Sequence, residues 1–254
     1  MKTLVNLFLC KRILFLTSIL LCINIYAEDT LFDFEDLKND IWEVEEISEY
    51  DPFEKINRPI YRLNDFIYLR VFDPITNTYV RYTPETIRKS FKNFSTNLKY
   101  PIRFISNIAQ LKGKEAYYET LKFCINSTVG VLGLNEPSEK YDNLKDIPNE
   151  DLGQALAFWG IPEGPYLVIP LLGPSTLRDL PAMIAEKELN PLDVRSDNLD
   201  DEGWELRATL STIEILVRTK EILPRYKDMK KASIDSYSLV RSAYLQQRLQ
   251  EVAQ

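Results

Sequence analysis

The stretch FWGIPEGPYLVIPLLGPSTLRD, residues 158–179, is apolar enough for a protein core yet cannot form one long helix. Glu163 alone interrupts its first eighteen residues, which are otherwise apolar or small. Its four prolines lack the amide hydrogen that a helix interior requires, and its three glycines permit bends that other residues resist. The composition therefore predicts a bent apolar hairpin.

Two surroundings for this hairpin are compatible with its composition. Inside a core, its many backbone amides and carbonyls would each need a hydrogen-bond partner. On the outside, it would be an aggregation hazard unless a membrane or another protein covers it. After the hairpin, we expect Ser175 or Thr176 to cap a new helix that contains Arg178 and Asp179.

Apolar residues recur at helical spacing along most of the remaining chain. We expect each recurrence to mark the buried face of a helix. The stripes are Ile60, Leu63, Ile67 and Val71; Ile87, Phe91, Phe94 and Leu98; Tyr117, Leu121, Cys124, Ile125 and Thr128; Leu206, Leu210, Ile213 and Val217; and Tyr237, Val240, Tyr244 and Leu245. No alternation is sustained enough to build a sheet, so the sequence predicts an all-α fold.

Proline and threonine positions predict where several of these helices begin and end. Pro74 should end the first helix, and Thr83 should cap the second. Pro101 should restart or kink the next helix, and Pro224 should end a later one.

Residues 1–27 have the features of a secretory signal peptide: a basic start, an uncharged apolar run and a small residue, Ala27, at the edge. The apolar run from Ile13 to Tyr26 has 14 residues, fewer than the about 20 that span a bilayer. We expect cleavage after Ala27 and export of the protein. An uncleaved membrane anchor is the alternative.

Residues 28–50 form an acidic N-terminal extension that we expect to be flexible. From Glu28 to Asp51, eleven carboxylates occur with Lys38 as the one basic side chain. A tail of like charges is usually solvated or serves as a docking arm. Residues 51–250 are predicted to form one helical domain.

The cysteines exclude a disulfide framework. Cleavage after Ala27 would leave Cys124 as the one thiol of the mature chain. Lipoprotein signals have a small residue directly before the lipidated cysteine, whereas Leu21 precedes Cys22. This difference argues against lipidation of Cys22.

The sequence contains no histidine, which removes Ser-His-Asp catalysis, Cys-His catalysis and histidine-ligated zinc together. It also lacks the spacings of a P-loop, a dinucleotide-binding loop, a CxxC pair and an EF-hand. Carboxylate pairs such as Glu150 and Asp151 lie in polar loops, where a solvated surface is the ordinary explanation. We therefore predict no catalytic residue, no metal and no cofactor.

A basic region runs from Arg81 to Lys114, where eight cations occur with Glu85 as the one carboxylate. Nucleic acid is a common partner of such a region, but export makes it an unsuitable one here. Two explanations stay open. The helices lie in a membrane interface where their cations meet phosphate headgroups, or they are soluble helices with a charged outer face.

Four sequence blocks carry a family resemblance. They are DPFEKINRPIYRLND (51–65), FSTNLKYPIRFISNIAQ (94–110), EDLGQALAFWGIPEGPYLVIPLLGPSTLRD (150–179) and DSYSLVRSAYLQQR (235–248). Together and in this order they resemble the MlaA (VacJ) family of outer-membrane proteins. The block that contains the apolar hairpin is the most specific of the four.

The resemblance implies a ring-like, membrane-embedded bundle of interfacial helices with an apolar Gly/Pro-rich hairpin. Such proteins lie on the periplasmic side of a Gram-negative outer membrane, beside trimeric porins. They remove phospholipid misplaced in the outer leaflet and pass it to a soluble periplasmic carrier, which maintains lipid asymmetry without covalent chemistry. The competing functions are a periplasmic phospholipid-processing enzyme and an adaptor that docks to porins.

The same resemblance implies that the hairpin contributes to a lipid passage. The hairpin and passage candidates are Gly160, Gly164, Pro165, Tyr166, Pro170, Gly173, Arg178 and Asp179. The candidates for facing a lipid headgroup are Arg81, Arg88, Lys89 and Arg103.

Overall fold

The chain is helical along most of the length that the structure describes. This computed structural model describes residues 51–190 and 202–254, with side chains of the second stretch from residue 208 onward. The predicted signal peptide and acidic N-terminal extension lie outside the described residues. The mostly helical fold expected from the sequence is confirmed.

The elements follow one another with short connections. The first half contains helices α1 (Glu54–Ile67), α2 (Asp73–Tyr82), α3 (Glu85–Leu98), α4 (Tyr100–Ala109) and α5 (Gly113–Thr128), with a π-helical turn (Tyr68–Phe72) between α1 and α2. The second half contains a 3₁₀ turn (Pro137–Lys140), helices α6 (Asp142–Lys145) and α7 (Leu152–Phe158), strands β1 (Tyr166–Ile169) and β2 (Gly173–Thr176), and helices α8 (Asp179–Leu189), α9 (Glu202–Ala232) and α10 (Ser236–Ala253).

The predicted hairpin is a two-stranded antiparallel sheet, which corrects the expectation that no sheet forms. Strands β1 and β2 have four residues each, too few for an alternating pattern to be visible in the sequence. Gly164 (φ 73°) and Gly173 (φ 98°) adopt a left-handed backbone, for which glycine is suited. Helix α8 begins at Asp179 with Arg178 as its N-cap residue, so the expected cap at Ser175 or Thr176 and the expected position of Arg178 inside the helix are wrong. Thr176 Oγ1 still accepts from the Asp179 amide (3.2 Å).

Three further predicted helix boundaries are wrong. Pro74 does not end the helical run, because the backbone continues through the π-helical turn and Pro74 lies in the first turn of α2. Thr83 does not cap α3; Pro84 directly precedes it, and no side chain of the described residues bonds that helix start. Pro224 lies inside α9, which continues to Ala232. The predicted restart at Pro101 is confirmed, since α4 begins at Tyr100.

Tertiary packing explains why α9 continues through Pro224. A proline inside a helix costs about 3 kcal/mol. The turns on either side of it bury Leu223, Tyr226 and Met229, and Lys230 forms an ion pair with Asp65 of α1 at 2.6 Å. Burial of three large side chains offsets a cost of this size, at about 1.5–3 kcal/mol each.

The most deeply buried residues of α1, α3 and α5 are mostly polar, so the predicted stripes are confirmed only in part. Their buried residues are Asn57 and Asn64 in α1, Asn93 and Asn97 in α3, and Ala116, Glu119 and Asn126 in α5. Leu63, Ile87 and Tyr117, which were expected inside, are exposed by 49%, 46% and 60%. The helical period was predicted correctly for these elements. Ile60 and Ile67 of the predicted α1 stripe are half-buried and pack against the apolar core, on the same face as Asn57 and Asn64.

An apolar core lies where α9 and α10 meet the hairpin and the π-helical turn. Its buried members are Phe72, Tyr166, Val168, Ile215, Tyr226, Met229, Tyr237, Val240, Ala243 and Tyr244. The predicted stripe of the last helix is therefore confirmed at Tyr237, Val240 and Tyr244. Within residues 51–190 and 202–254, no helix combines the length and apolar character needed to cross a bilayer.

Gly130 permits a close approach that any side chain would block. An added Cβ would lie 2.2 Å from the Asn135 carbonyl oxygen and 2.3 Å from the Asn126 carbonyl oxygen. At Gly113, in contrast, an added Cβ has open space. The two glycines flank the same helix, α5, and so form a matched pair.

We predict that Gly130→Ala lowers the free energy of unfolding by about 2–3 kcal/mol, because two backbone carbonyls must move. Gly113→Ala should leave stability unchanged or raise it slightly. Thermal unfolding of the purified protein, followed by far-ultraviolet circular dichroism, measures both. Equal melting temperatures for the two variants would contradict the close packing at Gly130.

Candidate functional site

The free edge of strand β1 is bound by two asparagine side chains of helix α1. Each side-chain amide donates one hydrogen bond to the hairpin backbone and accepts another. The bonds join Asn57 Nδ2 to the Tyr166 carbonyl (3.0 Å), the Val168 amide to Asn57 Oδ1 (2.9 Å), Asn64 Nδ2 to the Ile169 carbonyl (2.9 Å) and the Leu171 amide to Asn64 Oδ1 (2.7 Å). We call this pair of residues the asparagine clamp.

The tip of the hairpin is strained and depends on the same helix. Leu171 has a left-handed backbone (φ 68°), which is unfavourable for a residue with a branched side chain. Asn64 accepts from its amide, and the Tyr68 hydroxyl donates to its carbonyl (2.9 Å). Such strain persists only where the surrounding structure determines the conformation. Side chains from α1 and the turn after it therefore fix the turn of the hairpin.

A cluster of buried charges holds the end of the hairpin against α10. Arg248 contacts Asp179 (Nε to Oδ2, 3.0 Å) and Asp151 (Nη1 to Oδ2, 2.6 Å). Arg178 contacts the other oxygen of Asp179 at 2.9 Å. Burial alone would raise the pKa of Asp179, but the two guanidiniums outweigh burial and hold its pKa below the ordinary value.

Gly153 makes room for this charge cluster. An added Cβ would lie 2.6 Å from Arg248 Nη2 and 2.6 Å from Asp179 Oδ1. Asp151, two residues earlier, also caps α7 by accepting from the Gln154 amide at 2.7 Å. The start of α7, the end of the hairpin and the last helix are thus joined through one arginine.

The predicted hairpin residues separate into a bound part and an exposed part. Tyr166, Gly173, Arg178 and Asp179 are buried, Pro165 is half-buried, and Gly160, Gly164 and Pro170 are exposed. The Tyr166 ring contacts that of Tyr237, with 6.2 Å between centroids. The exposed residues lie before β1 and at the hairpin tip.

A cavity of about 280 Å³ lies between α2, α3, the loop after α5 and α9. Its lining residues are Tyr79, Glu85, Arg88, Lys89, Lys92, Asn93, Glu136, Glu139, Val217, Lys220 and Glu221. Four of these carry a positive charge and four carry a carboxylate. We call it the polar cavity, and its wall has no net charge.

Arg88 is fixed in the wall of the polar cavity. Its Nη1 donates to the Val80 carbonyl (2.7 Å) and to the Thr83 carbonyl (2.8 Å), at the end of α2. Its Nε and the Tyr79 hydroxyl are buried and have no hydrogen-bond partner among the described residues. Both atoms are shielded from solvent, so they lie behind the surface that faces the cavity.

Glu136 supplies a carboxylate to the same cavity. Burial raises the pKa of Glu136, and neighbouring Glu139 raises it further, while nearby lysines lower it. With its amide nitrogen turned toward this carboxylate, Asn93 donates to Oε2 at 3.1 Å. Lys92 pairs with Glu221 at 2.9 Å. Because the net effect is a raised pKa, an additional positive charge nearby would stabilise the ionised carboxylate of Glu136.

The four basic candidates occupy three different environments. Arg88 and Lys89 line the polar cavity. Arg103 is buried elsewhere and pairs with Glu119 at 2.9 Å. Arg81 is exposed, with its guanidinium 5.9 Å from the centre of the Tyr82 ring. The structure thus brings together two of the four.

Sequence reasoning missed the asparagine clamp and the carboxylates of the polar cavity. A signal for the clamp was present, because Asn57 and Asn64 are seven residues apart and so lie on one helix face. For Glu136 there was no local signal, because its position depends on how the loop after α5 returns to α3. In residues 51–190 and 202–254, no group of three potential ligand side chains could hold a metal ion.

These features define a mostly helical protein with a polar interior, a hairpin bound by helix side chains, and many exposed aliphatic residues. Residues 49–251 match the family described as MlaA lipoprotein. The chain belongs to this family, as the four sequence blocks predicted.

Similar proteins agree with this assignment. An uncharacterized protein of Rickettsia felis is 30% identical over 242 residues, covering 91% of each chain. The intermembrane phospholipid transport system lipoprotein MlaA of Escherichia coli K12 is 26% identical over 198 residues, covering 77% of this chain and 76% of that one. A solved structure from work on maintenance of bacterial outer membrane lipid asymmetry has the same fold, with a TM-score of 0.64, 22% identity, and coverage of 80% of this chain and 100% of that chain.

The asparagine clamp should control the order of the hairpin. Asn57→Ala removes both hydrogen bonds to the hairpin and also the bond from Asn57 Nδ2 to Asp51 Oδ2 (3.1 Å). It leaves a buried amide and carbonyl of the hairpin without partners, at about 1–3 kcal/mol for each such group. We predict that the Val168 amide then exchanges with solvent hydrogen at least about tenfold faster. Asn64→Ala should do the same to the Leu171 amide.

Hydrogen exchange measured by mass spectrometry or NMR tests this prediction. Asn143→Ala is the matched control, since Asn143 is an exposed asparagine of a different helix, α6. Wild-type exchange at both hairpin amides in the clamp variants would show that the two asparagines do not hold the strand.

Proposed function

We propose that this protein is the outer-membrane component of a phospholipid transport system. It removes mislocalised phospholipid from the outer leaflet and passes it to a periplasmic carrier, which maintains lipid asymmetry. Family membership supports this proposal, since relatives in Escherichia coli, Shigella flexneri and Haemophilus influenzae are named intermembrane phospholipid transport system lipoproteins. An outer-membrane porin trimer and a soluble periplasmic carrier are the protein partners that we propose with it.

The observation that carries the proposal is the polarity of helices α1, α3 and α5. Their most buried side chains are mostly amides and a carboxylate, while many apolar side chains of these helices and of neighbouring segments lie outside. The exposed set includes Ile56, Phe66, Ile105, Ile108, Leu111, Val129, Val131, Leu132, Phe158 and Trp159. Exposed apolar surface of this extent marks contact with a membrane or another protein. We propose that these residues face lipid in the periplasmic side of the outer membrane, as a ring-like bundle.

A polar interior suits the movement of a phospholipid headgroup. Hydrocarbon excludes a charged phosphate strongly, because the group loses its hydration without gaining partners. Polar and charged groups inside the protein supply such partners, whereas the apolar hairpin suits acyl chains. We propose that Arg88 and Lys89 face the headgroup, and that the hairpin borders the passage through Gly160, Gly164, Pro165 and Pro170. No bond needs to form or break in this function.

The function predicts a loss of lipid asymmetry when the protein is missing. In a Gram-negative strain without its own family member, phospholipid should accumulate at the cell surface and cells should become sensitive to detergent with chelator. Expression of this chain should restore both to the level of the parent strain. A membrane-impermeant amine-reactive reagent measures the surface phospholipid.

The clamp variant supplies a control for this experiment. Asn57→Ala/Asn64→Ala should restore asymmetry less well than Asn143→Ala at equal protein level. Unchanged surface phospholipid in the deletion strain, or no restoration by a correctly exported chain, would refute the transport function. Release of fatty acid or headgroup from labelled phospholipid by purified protein would favour the processing enzyme instead.

The apolar exterior should hold the protein in the membrane. Phe66→Lys/Ile108→Lys introduces two charges on exposed apolar positions, and a lysine at bilayer depth costs on the order of 2.5–3.5 kcal/mol. We predict that at least about tenfold more protein is extracted from membranes by alkaline carbonate. Thr78→Lys/Thr86→Lys adds the same charge at exposed polar positions and should extract like wild type. Identical extraction of both variants would contradict the proposed lipid-facing surface.

A further inference from the structure

The polar cavity has the size of a headgroup site rather than of a site for a whole lipid. Its volume of about 280 Å³ lies just below the range of about 300–1,000 Å³ that holds drug-sized ligands. Its wall carries equal numbers of cations and carboxylates, which is unsuited to a simple anion. A ligand that carries one charge of each sign would match it.

The cationic part of the wall is prepared for a phosphate. Two carbonyls at the end of α2 hold the Arg88 guanidinium, so it does not have to become ordered when a ligand binds. Arg88 and Tyr79 both line the cavity. Lys89, exposed on the next position of α3, adds a positive charge beside them. Guanidinium and ammonium groups are the usual partners of phosphate oxygens.

The carboxylate part of the wall is prepared for an ammonium group. Glu136 directly precedes the 3₁₀ turn, Glu139 lies within it, and both line the cavity. Glu136 is half-buried, and its nearest like charge is that of Glu139. Two neighbouring carboxylates attract a cation and repel a second anion.

We propose that the polar cavity binds the zwitterionic headgroup of an aminophospholipid, with its phosphate at Arg88 and Lys89 and its ammonium at Glu136 and Glu139. This inference rests on the proposed transport function and names the lipid class that the cavity prefers. A phosphatidylglycerol headgroup fills the phosphate part equally well but has no cation for the two glutamates. The cavity therefore favours phosphatidylethanolamine over phosphatidylglycerol.

Lipid binding by the purified full-length protein tests this preference. The protein in detergent is mixed with equal amounts of phosphatidylethanolamine and phosphatidylglycerol that have identical acyl chains. Lipid that stays with the protein in gel filtration is then quantified by mass spectrometry. Wild type should retain phosphatidylethanolamine with about a threefold or greater preference, because the competing lipid leaves two carboxylates unpaired. Glu136→Gln/Glu139→Gln should bring the ratio close to one or reverse it.

Two variants serve as controls. Asp146→Asn/Glu188→Gln removes the same charge from exposed positions outside the cavity and should keep the wild-type ratio. Lys89→Gln removes a phosphate partner shared by both lipids, so it should reduce total bound lipid while leaving the ratio unchanged. Water-soluble glycerophosphoethanolamine, added at equal concentration, should displace little lipid, because it lacks acyl chains.

The outcomes separate this inference from the proposed function. Equal retention of the two lipids by wild type, or a wild-type ratio in Glu136→Gln/Glu139→Gln, would overturn the headgroup preference and leave transport standing. Complete displacement by glycerophosphoethanolamine would overturn a lipid as the occupant and assign the cavity to a soluble phosphate ester. A protein that retains no phospholipid at all, and does not restore asymmetry in cells, would overturn both proposals.

Discussion

Two asparagine side chains take the place of a third strand beside the hairpin, and much of the fold depends on them. An isolated two-stranded hairpin is at best marginally stable in water. The clamp fits because two spacings match. The seven residues from Asn57 to Asn64 rise about 10.5 Å along a helix, and the three residues between the two bonded positions of the hairpin rise about 10 Å in extended backbone. The same helix, α1, contacts α10 through Arg58 and Asp235 (2.6 Å) and α9 through Asp65 and Lys230 (2.6 Å). It therefore joins the hairpin to the apolar core.

The polar interior has a different energetic origin from the apolar core. Buried ion pairs such as Arg103 with Glu119 (2.9 Å) contribute little net stability, because desolvation of both charges cancels much of their attraction. Removal of one partner is costly, however, since it leaves a buried charge alone. Such pairs therefore fix how helices α4 and α5 meet, while the burial of residues such as Tyr226 and Met229 supplies the favourable free energy. The buried ion pairs therefore fix the arrangement of these helices, whereas the apolar core provides most of the stability.

The sequence predicted the helices, the hairpin, the family and the buried face of α10, but not the polar residues that are most deeply buried in α1, α3 and α5. Helical spacing at Leu63, Ile87 and Tyr117 marks an apolar face equally well in water and in lipid, and the rule that this face turns inward assumes water outside. Pro224 was predicted to end a helix because local propensity was considered without the packing of Tyr226 and Met229 around it. The basic candidates Arg88 and Lys89 were found from charge alone. The carboxylates Glu136 and Glu139 of the same cavity wall could not be found in this way, because the loop that carries them is distant in sequence.

The contacts of the hairpin restrict where this segment can move. The clamp binds β1, and the Arg248 cluster binds the residues after β2, so rotation of the hairpin as a whole would break buried hydrogen bonds at both ends. Gly160 is different: its φ is 81°, it is exposed, and an added Cβ would meet nothing within 4 Å. Gly164 is also exposed, at φ 73°. The backbone is therefore freest to bend from Gly160 to Gly164, whereas β1 and the residues after β2 are held by side chains. Under the proposed transport function, this arrangement favours control of lipid passage by the short approach to β1 over opening of the sheet.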